Sequence, residues 1–521
     1  MKEIKNVLIA GRNYMTNMDS IPLYNEKKIF SYGILFLSGL YFAFISVYSI
    51  NQADLGFQLS AVERLKTGQI IYKDYDFIRP FFGVIFWDYL LKLIPLQSDY
   101  LILISRILVI VESFIICYVI QKLIFNRKDL QTTVFLVLCF LHTFPIMPWH
   151  TIDGVFFAVL ALLFYKKKWY LSSLLFIVFA SLTKQSFVIF GLGAGVIILI
   201  DLFKKFVITK KDLYLFIPSF LFFIAVLFQY RIIENFNLFI EQVLQPASPS
   251  YIYEGCIAPY FSFEKKFHTI LYIISLVLIY FININRKVFE IALVAVLPVF
   301  IIYPFFNDGQ FKGTYVLYVI LFILFLKYER QNKFIFLLLF LGWCSSISWG
   351  YNTPAFFILI LLYKFIENQD RFFMLLWGII LTVFSIYRDK YPYHSESLTS
   401  KHVFIKNVPA VSGLLVSEKE YSYILEAQQI HKIHKDVIFL PASPLLDIIN
   451  ASFLNRASWE MDIEYPSWKS DLQKIKTNTI AVDNNLLHYY KDGFFVSSIT
   501  LELMKQKKAI KKTKYFTIYG N

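Results

Sequence analysis

Long apolar runs broken by short polar turns fill the first three quarters of the chain. The first extends from about Ile29 to Ile50, and others follow near 100–121, 130–147, 152–165, 169–183, 187–202, 212–230, 268–283, 288–304, 314–326, 334–349, 354–366 and 372–387. About twenty apolar residues in a helix cover the roughly 30 Å of a bilayer's hydrocarbon core, so the pattern predicts an all-α polytopic membrane protein of about 13 spans. Residues 1–28 are polar and carry Lys2, Lys5, Arg12, Lys27 and Lys28. The first apolar run therefore starts too late for a cleaved leader and reads as a signal anchor.

Two segments break the rhythm. The first outer loop, 51–99, holds an amphipathic stretch over 55–65 and an apolar stretch over 81–96 interrupted by Asp88 and Lys92. Both are expected to lie along the interface rather than span. A second long loop covers 231–267. Beyond 387 the composition changes abruptly: residues 388–521 hold 18 basic and 14 acidic residues. Ser417 and Glu420 have capping-box spacing ahead of the helical "EKEYSYILEAQQIHK". A strand-like "DVIFL", a helical "PLLDIIN", strands "TIAVD" and "KYFTIYG" and a helix near 497–509 complete a small α/β pattern. The expected organisation is a cytoplasmic segment 1–28, a membrane domain 29–387 and an extracytoplasmic α/β domain 388–521.

Composition agrees with the pattern: 57% of residues are hydrophobic and only 17% charged. A net charge of +14 raises nucleic acid as a partner, but the basic residues sit on alternate loops. With the N-terminus cytoplasmic, the inner segments carry 22 Lys and Arg and the outer ones 10, as the positive-inside rule requires. Nucleic acid is thereby excluded as the reading of the charge. The 4 cysteines, three in apolar runs and Cys256 in a loop, make neither a disulfide framework nor a metal site. High Ile, Lys, Phe, Tyr and Asn content fits an AT-rich bacterial genome and a bacterial inner membrane.

Candidate chemistry collects at the outer level. Asp54 lies just beyond the first span, and "YKDYDFIRP" supplies Tyr72, Asp74 and Arg79. Arg106 falls in the second span, His150 and Asp153 in "WHTIDG", Lys184 and Gln185 in "LTKQS", and Tyr351 and Asn352 in "SWGYNTP". Ionisable groups in apolar segments cost about 2.5–3.5 kcal/mol at a helix centre on insertion scales, so they default to functional candidates. Asp74 and Arg79 also fit an ordinary solvated loop, Arg106 a snorkelling side chain, and His150 a hydrogen-bonded structural residue. Lys184, the one basic residue of a short outer turn, stands against the charge bias.

Taken in order, an acid after the first span, a "G(x)3YKD" segment at 68–74, interfacial helices, a "TKQ" outer turn and an extracytoplasmic C-terminal domain resemble one known family. It is the GT-C superfamily of integral-membrane glycosyltransferases, in the class that includes bacterial protein O-mannosyltransferases and the lipid A aminoarabinose transferase. The architecture covers 30–387, and the motifs cover about 51–80, 149–154 and 183–185. The chain departs from the family's acidic pair, since Leu55 follows Asp54.

The resemblance implies inverting transfer of a hexosyl or pentosyl unit from a polyprenyl phosphate donor to a glycan, lipid or protein acceptor on the outer face. It implies Asp54 as the general base, and Lys184, Arg79 and Arg106 on the donor phosphate. Tyr72, Asp74, His150, Asp153, Tyr351 and Asn352 would hold sugar or acceptor. Some members hold a divalent metal on first-loop acids; without the acidic pair no cofactor is assigned here. Two other classes fit less well. A flippase or transporter of lipid-linked sugars would show internal repeats and mid-span charges, and an O-antigen polymerase or ligase would work through the 231–267 loop.

Overall fold

The computed structural model describes residues 20–48, 50, 54–94, 98–125, 130–143, 146–205, 208–244, 314–347, 353–366, 397–456, 475, 478–485 and 498–520. The apolar runs become helices: α1 (Ser20–Val47), α4 (Leu101–Ile124), α5 (Leu130–Thr143), α6 (His150–Lys166), α7 (Tyr170–Ser181), α8 (Ser186–Lys205), α9 (Lys210–Gln229), α11 (Thr314–Leu324), α12 (Lys333–Ser346) and α13 (Thr353–Ile366). Between them lie the first-loop helices α2 (Phe57–Lys66) and α3 (Phe82–Lys92), and α10 (Phe236–Val243). Among the described residues α4, α8 and α9 are long and apolar enough to cross a membrane, and α1, α5, α7 and α12 carry shorter apolar stretches. The spans expected near 268–283, 288–304 and 372–387, the distal part of the 231–267 loop, and Tyr351 and Asn352 lie outside the described residues.

Helix direction sorts the polar residues onto two ends of the bundle. One end holds the last turns of α4 and α6 and the first turns of α7, α9 and α12. There Lys166 donates to the Lys122 carbonyl, and Lys333 donates to Asp201 at 2.9 Å and to the Tyr165 hydroxyl at 2.7 Å. Buried Asp212 accepts from the Leu171 and Ser172 backbone N–H groups and the Ser172 hydroxyl, satisfying first-turn donors of α7 that no residue of α7 can reach. The basic residues of this end are those the positive-inside rule assigned to the cytoplasm.

At the opposite end α3 does not lie free on a surface. It packs its aromatic face into the bundle: Phe82 stacks on Phe179 at 4.4 Å and meets Phe157 edge-on at 5.2 Å. The Phe82 backbone N–H donates to the Leu182 carbonyl at 2.9 Å, pinning the start of α3 to the α7–α8 turn. Trp87 and Asp88 of α3 are fully buried. The helix expected along the interface thus packs one face into the bundle, where its aromatic Phe82 finds partners on α6 and α7.

The C-terminal segment forms the expected α/β layer. A short antiparallel pair, β1 (Val403–Phe404) with β2 (Leu415–Val416), precedes a four-stranded sheet of order β3 (Ile438–Leu440), β4 (Ile480–Asp483), β6 (Phe516–Gly520), β5 (Lys508–Lys512), in which β3 is parallel to β4 and the other pairs are antiparallel. Helix α14 (Glu418–Ile433) starts at a complete Ser417–Glu420 capping box, and α15 (Pro444–Asn450) follows β3. One boundary is corrected. The helix expected over 497–509 stops at Gln506 as α16 (Ser498–Gln506), and 508–512 is strand β5. β5 is an exposed edge strand of sequence KAIKK, whose lysines suit an edge that must not recruit another strand.

This layer sits on the same end as α3. The backbone N–H of Ile102 donates to the Ala410 carbonyl at 3.0 Å, that of Ser412 donates to the Asp99 carbonyl at 2.9 Å, and Tyr48 bridges Leu415 just past α1.

Candidate active site

The first outer loop, the first turn of α6 and the turn between α7 and α8 meet in one buried polar cluster. Asp153, fully buried on the first turn of α6, accepts from Gln58 Nε2 of α2 at 2.6 Å and from Trp87 Nε1 of α3 at 3.0 Å. A single carboxylate therefore ties both loop helices to the bundle. The expectation for Asp153 was a sugar or acceptor contact; in the structure its oxygens face these two donors.

One turn back on α6, His150 is 2% exposed, and neither ring nitrogen has a hydrogen-bond partner among the described residues. The edges of Phe57 and Phe77 flank its ring at 5.4 and 5.5 Å. An unpaired buried polar group costs about 1–3 kcal/mol, so two open nitrogens in one imidazole are a feature that needs an explanation. Arg79 and Lys184 are the cations whose fields reach this ring.

Gly83 lets the cluster close. A Cβ on it would lie 2.8 Å from Asp153 Oδ2, 2.9 Å from His150 Nδ1 and 3.0 Å from Gln58 Nε2. In an open helix Gly→Ala gains about 1 kcal/mol of propensity. Here three polar side chains would have to shift, and overpacking costs about 1–3 kcal/mol. Gly83→Ala is expected to lower the melting temperature in detergent, the steric term outweighing the helix term; an unchanged or raised value would contradict this packing.

The α7–α8 turn supplies one cation and holds another. Lys184 is 3% exposed, and its Nζ donates to Thr151 Oγ1 at 3.2 Å and to the Ile347 carbonyl at 3.0 Å. This ammonium thus sits beside the α6 residue that follows His150. Gln185 donates to the carbonyls of Ile78 and Val243 and accepts from Arg79 Nη1 at 3.1 Å. The "TKQ" turn therefore holds Arg79 and Lys184 at neighbouring positions.

Tyr72 is fully buried with a left-handed φ of +68°, and its hydroxyl donates to the Arg79 carbonyl at 2.8 Å. It shapes the loop that carries Arg79. Burial raises its phenol well above the usual range, which keeps the donor protonated. Asp74 is exposed and accepts from the Ile70 backbone N–H at 2.7 Å, closing its own turn. Arg106 is buried; its Nη1 donates to the carbonyls of Ser46 and Tyr48, at the orphan C-terminal carbonyls of α1. Asp54 lies half-buried in the turn that opens α2, its carbonyl accepting from Phe57 N–H at 3.1 Å.

Two residues of this region were not singled out in the sequence. Gln58 is uncharged and sits in an ordinary amphipathic pattern, so only its contact with Asp153 gives it weight. Glu112, mid-way along α4, is 5% exposed, and neither carboxyl oxygen has a hydrogen-bond partner among the described residues. A lone acid among apolar residues was the available signal. Among the described residues no group of three or more His, Cys, Asp or Glu side chains is arranged to hold a metal.

No family model and no curated protein matches the chain. Two solved structures are similar along nearly the whole length. The apo form of ArnT from Cupriavidus metallidurans is 10% identical with a TM-score of 0.41, and the form bound to undecaprenyl phosphate is 11% identical with a TM-score of 0.37. In both, the match covers 94% of this chain and 97% of the other.

Proposed function

We propose that this protein is a membrane glycosyltransferase that moves a sugar from a polyprenyl phosphate carrier to a glycan, lipid or protein acceptor at the outer face of a bacterial inner membrane. The observation that carries the reading is the convergence of Lys184, Arg79 and His150, whose ring nitrogens have no partner among the described residues, at one end of the bundle, beside the loop that bears Asp54. The leaving group of such a reaction is a lipid phosphate. Developing negative charge there is stabilised by fixed cations in a site of low dielectric, with Arg suited to bidentate contact and Lys acting as a point charge. Lys184 and Arg79 are assigned that role.

Asp54 is assigned as general base, taking the proton of the acceptor hydroxyl as it attacks the anomeric carbon from the face opposite the phosphate, with inversion. His150 is assigned to the sugar or acceptor, whose hydroxyls would satisfy its open nitrogens. Tyr72 and Asp74 shape the loop, Asp153 fixes it, and Arg106 secures the end of α1 from which the loop departs. Tyr351 and Asn352 keep their proposed place on the sugar.

Binding tests the donor class without chemistry. Undecaprenyl phosphate should raise the melting temperature of the detergent-solubilised protein, while undecaprenol, which has the tail and lacks the charge, should raise it far less. Equal shifts with the two lipids would assign the site to the tail alone and remove the phosphate from the reading.

A further inference from the structure

The C-terminal layer touches the first outer loop at both ends of α2. Arg64, at the end of α2, is fully buried, and its Nη2 pairs with Asp447 Oδ2 of α15 at 2.9 Å. Its Nη1 also donates to Gln69 Oε1 at 3.3 Å, and the guanidinium lies 5.3 Å from the ring centres of both Tyr75 and Phe453. At the other end of the same helix Gly56 abuts α15: a Cβ there would fall 2.4 Å from the Leu445 nitrogen. Two-point contact fixes both the position and the rotation of α2. That helix opens at the Asp54 turn and presents Gln58 to Asp153.

We propose that Arg64 and Asp447 are a positioning pair, through which the C-terminal domain holds α2 and so sets the Asp54 turn for transfer. The assignment to transfer rests on the function proposed above, whereas the hold on α2 does not. A planar guanidinium held between two rings and a carboxylate has no lysine equivalent, so the geometry asks for arginine. Breaking a buried pair on one side leaves an uncompensated charge, which makes the hold sensitive to small changes.

The pair also has a direction with pH. Burial raises the Asp447 carboxyl from its usual range to about 6, the Arg64 charge opposing that rise. Arg64 reaches Asp447 from α2; on α14, which also packs on α15, the buried acid is Glu420, itself paired with Lys401 at 3.1 Å. Because the folded value is raised, protonation between about 6 and 4 favours the folded state, so acid removes the ion pair without this group destabilising the fold.

The test uses full-length protein in detergent, as wild type, Asp447→Asn and Asp447→Ala. Hydrogen exchange, corrected for intrinsic rates, is followed in peptides covering 57–66 and in peptides from the membrane helices. Asp447→Ala should speed exchange over 57–66 by about tenfold or more while the membrane helices stay unchanged. With any polyprenyl phosphate sugar that wild type consumes, Asp447→Ala should lower kcat about tenfold with donor KM within about twofold.

Unchanged exchange over 57–66 in a cooperatively melting Asp447→Ala protein would overturn the proposal. Faster exchange throughout would overturn it as well, making Asp447 a general fold residue. If wild type consumes no polyprenyl phosphate sugar, the function proposed above fails, and the exchange measurement still decides the hold on α2.

Discussion

Asp54→Asn is expected to lower glycosyl transfer by about a hundredfold or more at matched folded protein, the usual worth of a positioned general base. Asparagine keeps the size of the side chain and its hydrogen-bonding reach but cannot take a proton from an acceptor hydroxyl. The turn that opens α2 should survive the change, because the backbone carbonyl of residue 54 accepts from Phe57 N–H. Melting should therefore stay close to wild type while transfer collapses, and donor affinity should hold, since a base acts on the acceptor. Full activity in Asp54→Asn would make the residue structural. His150, itself 2% exposed and with neither ring nitrogen paired among the described residues, and the 231–267 loop would then be the places to look for the base.

The second large effect is expected at Lys184. Its ammonium is buried between Thr151 and the Ile347 carbonyl, where solvent screens it little. Removing one preorganised stabiliser of transition-state charge costs about a hundredfold to a thousandfold in turnover. Lys184→Met should show a loss of that order, and it should also weaken the difference in stabilisation between undecaprenyl phosphate and undecaprenol. The same substitution leaves the Ile347 carbonyl without this donor, a cost of about 1–3 kcal/mol, so melting is measured alongside. Lys184→Arg separates the two effects. It keeps the charge while changing shape, and it should recover part of the phosphate-dependent stabilisation. Retention of that stabilisation in a folded Lys184→Met protein would move the phosphate elsewhere.

The elements of this fold were legible wherever one local rule governed them. Apolar runs gave α4, α6 and α8 to within a few residues, and the Ser417–Glu420 spacing gave the start of α14 because a capping box is read within four residues. The helix read near 497–509 runs past Gln506 into residues 508 and 509, the start of β5, for the same reason in reverse. Its lysines are compatible with a helix locally, and pairing with β6, a tertiary contact, decides for strand.

Side-chain roles in the site were less legible than positions. Lys184 and Arg79 could be placed on one membrane side from charge bias and loop order alone. The partners of Asp153 lie 95 and 66 residues away, and those of Arg106 lie 60 and 58 residues away. No periodicity encodes such distances, so the contacts by which Asp153 ties down the loop and Arg106 caps α1 are not legible in the sequence. Gln58 was invisible because a neutral amide on an amphipathic helix costs nothing until its partner is known. The contact of Arg64 with Asp447 joins segments 383 residues apart, and only the fold brings them together.

Every role assigned to these residues depends on transfer of sugar from a lipid phosphate. The most direct measurement incubates the wild-type protein, in detergent and in vesicles, with a panel of radiolabelled polyprenyl phosphate sugars and follows loss of label from the carrier. At least one donor should be consumed with release of polyprenyl phosphate, and the consumption should fall about a hundredfold or more in Asp54→Asn. If no donor is consumed while lipid-linked sugars cross the vesicle membrane, the protein is a transporter and not a transferase.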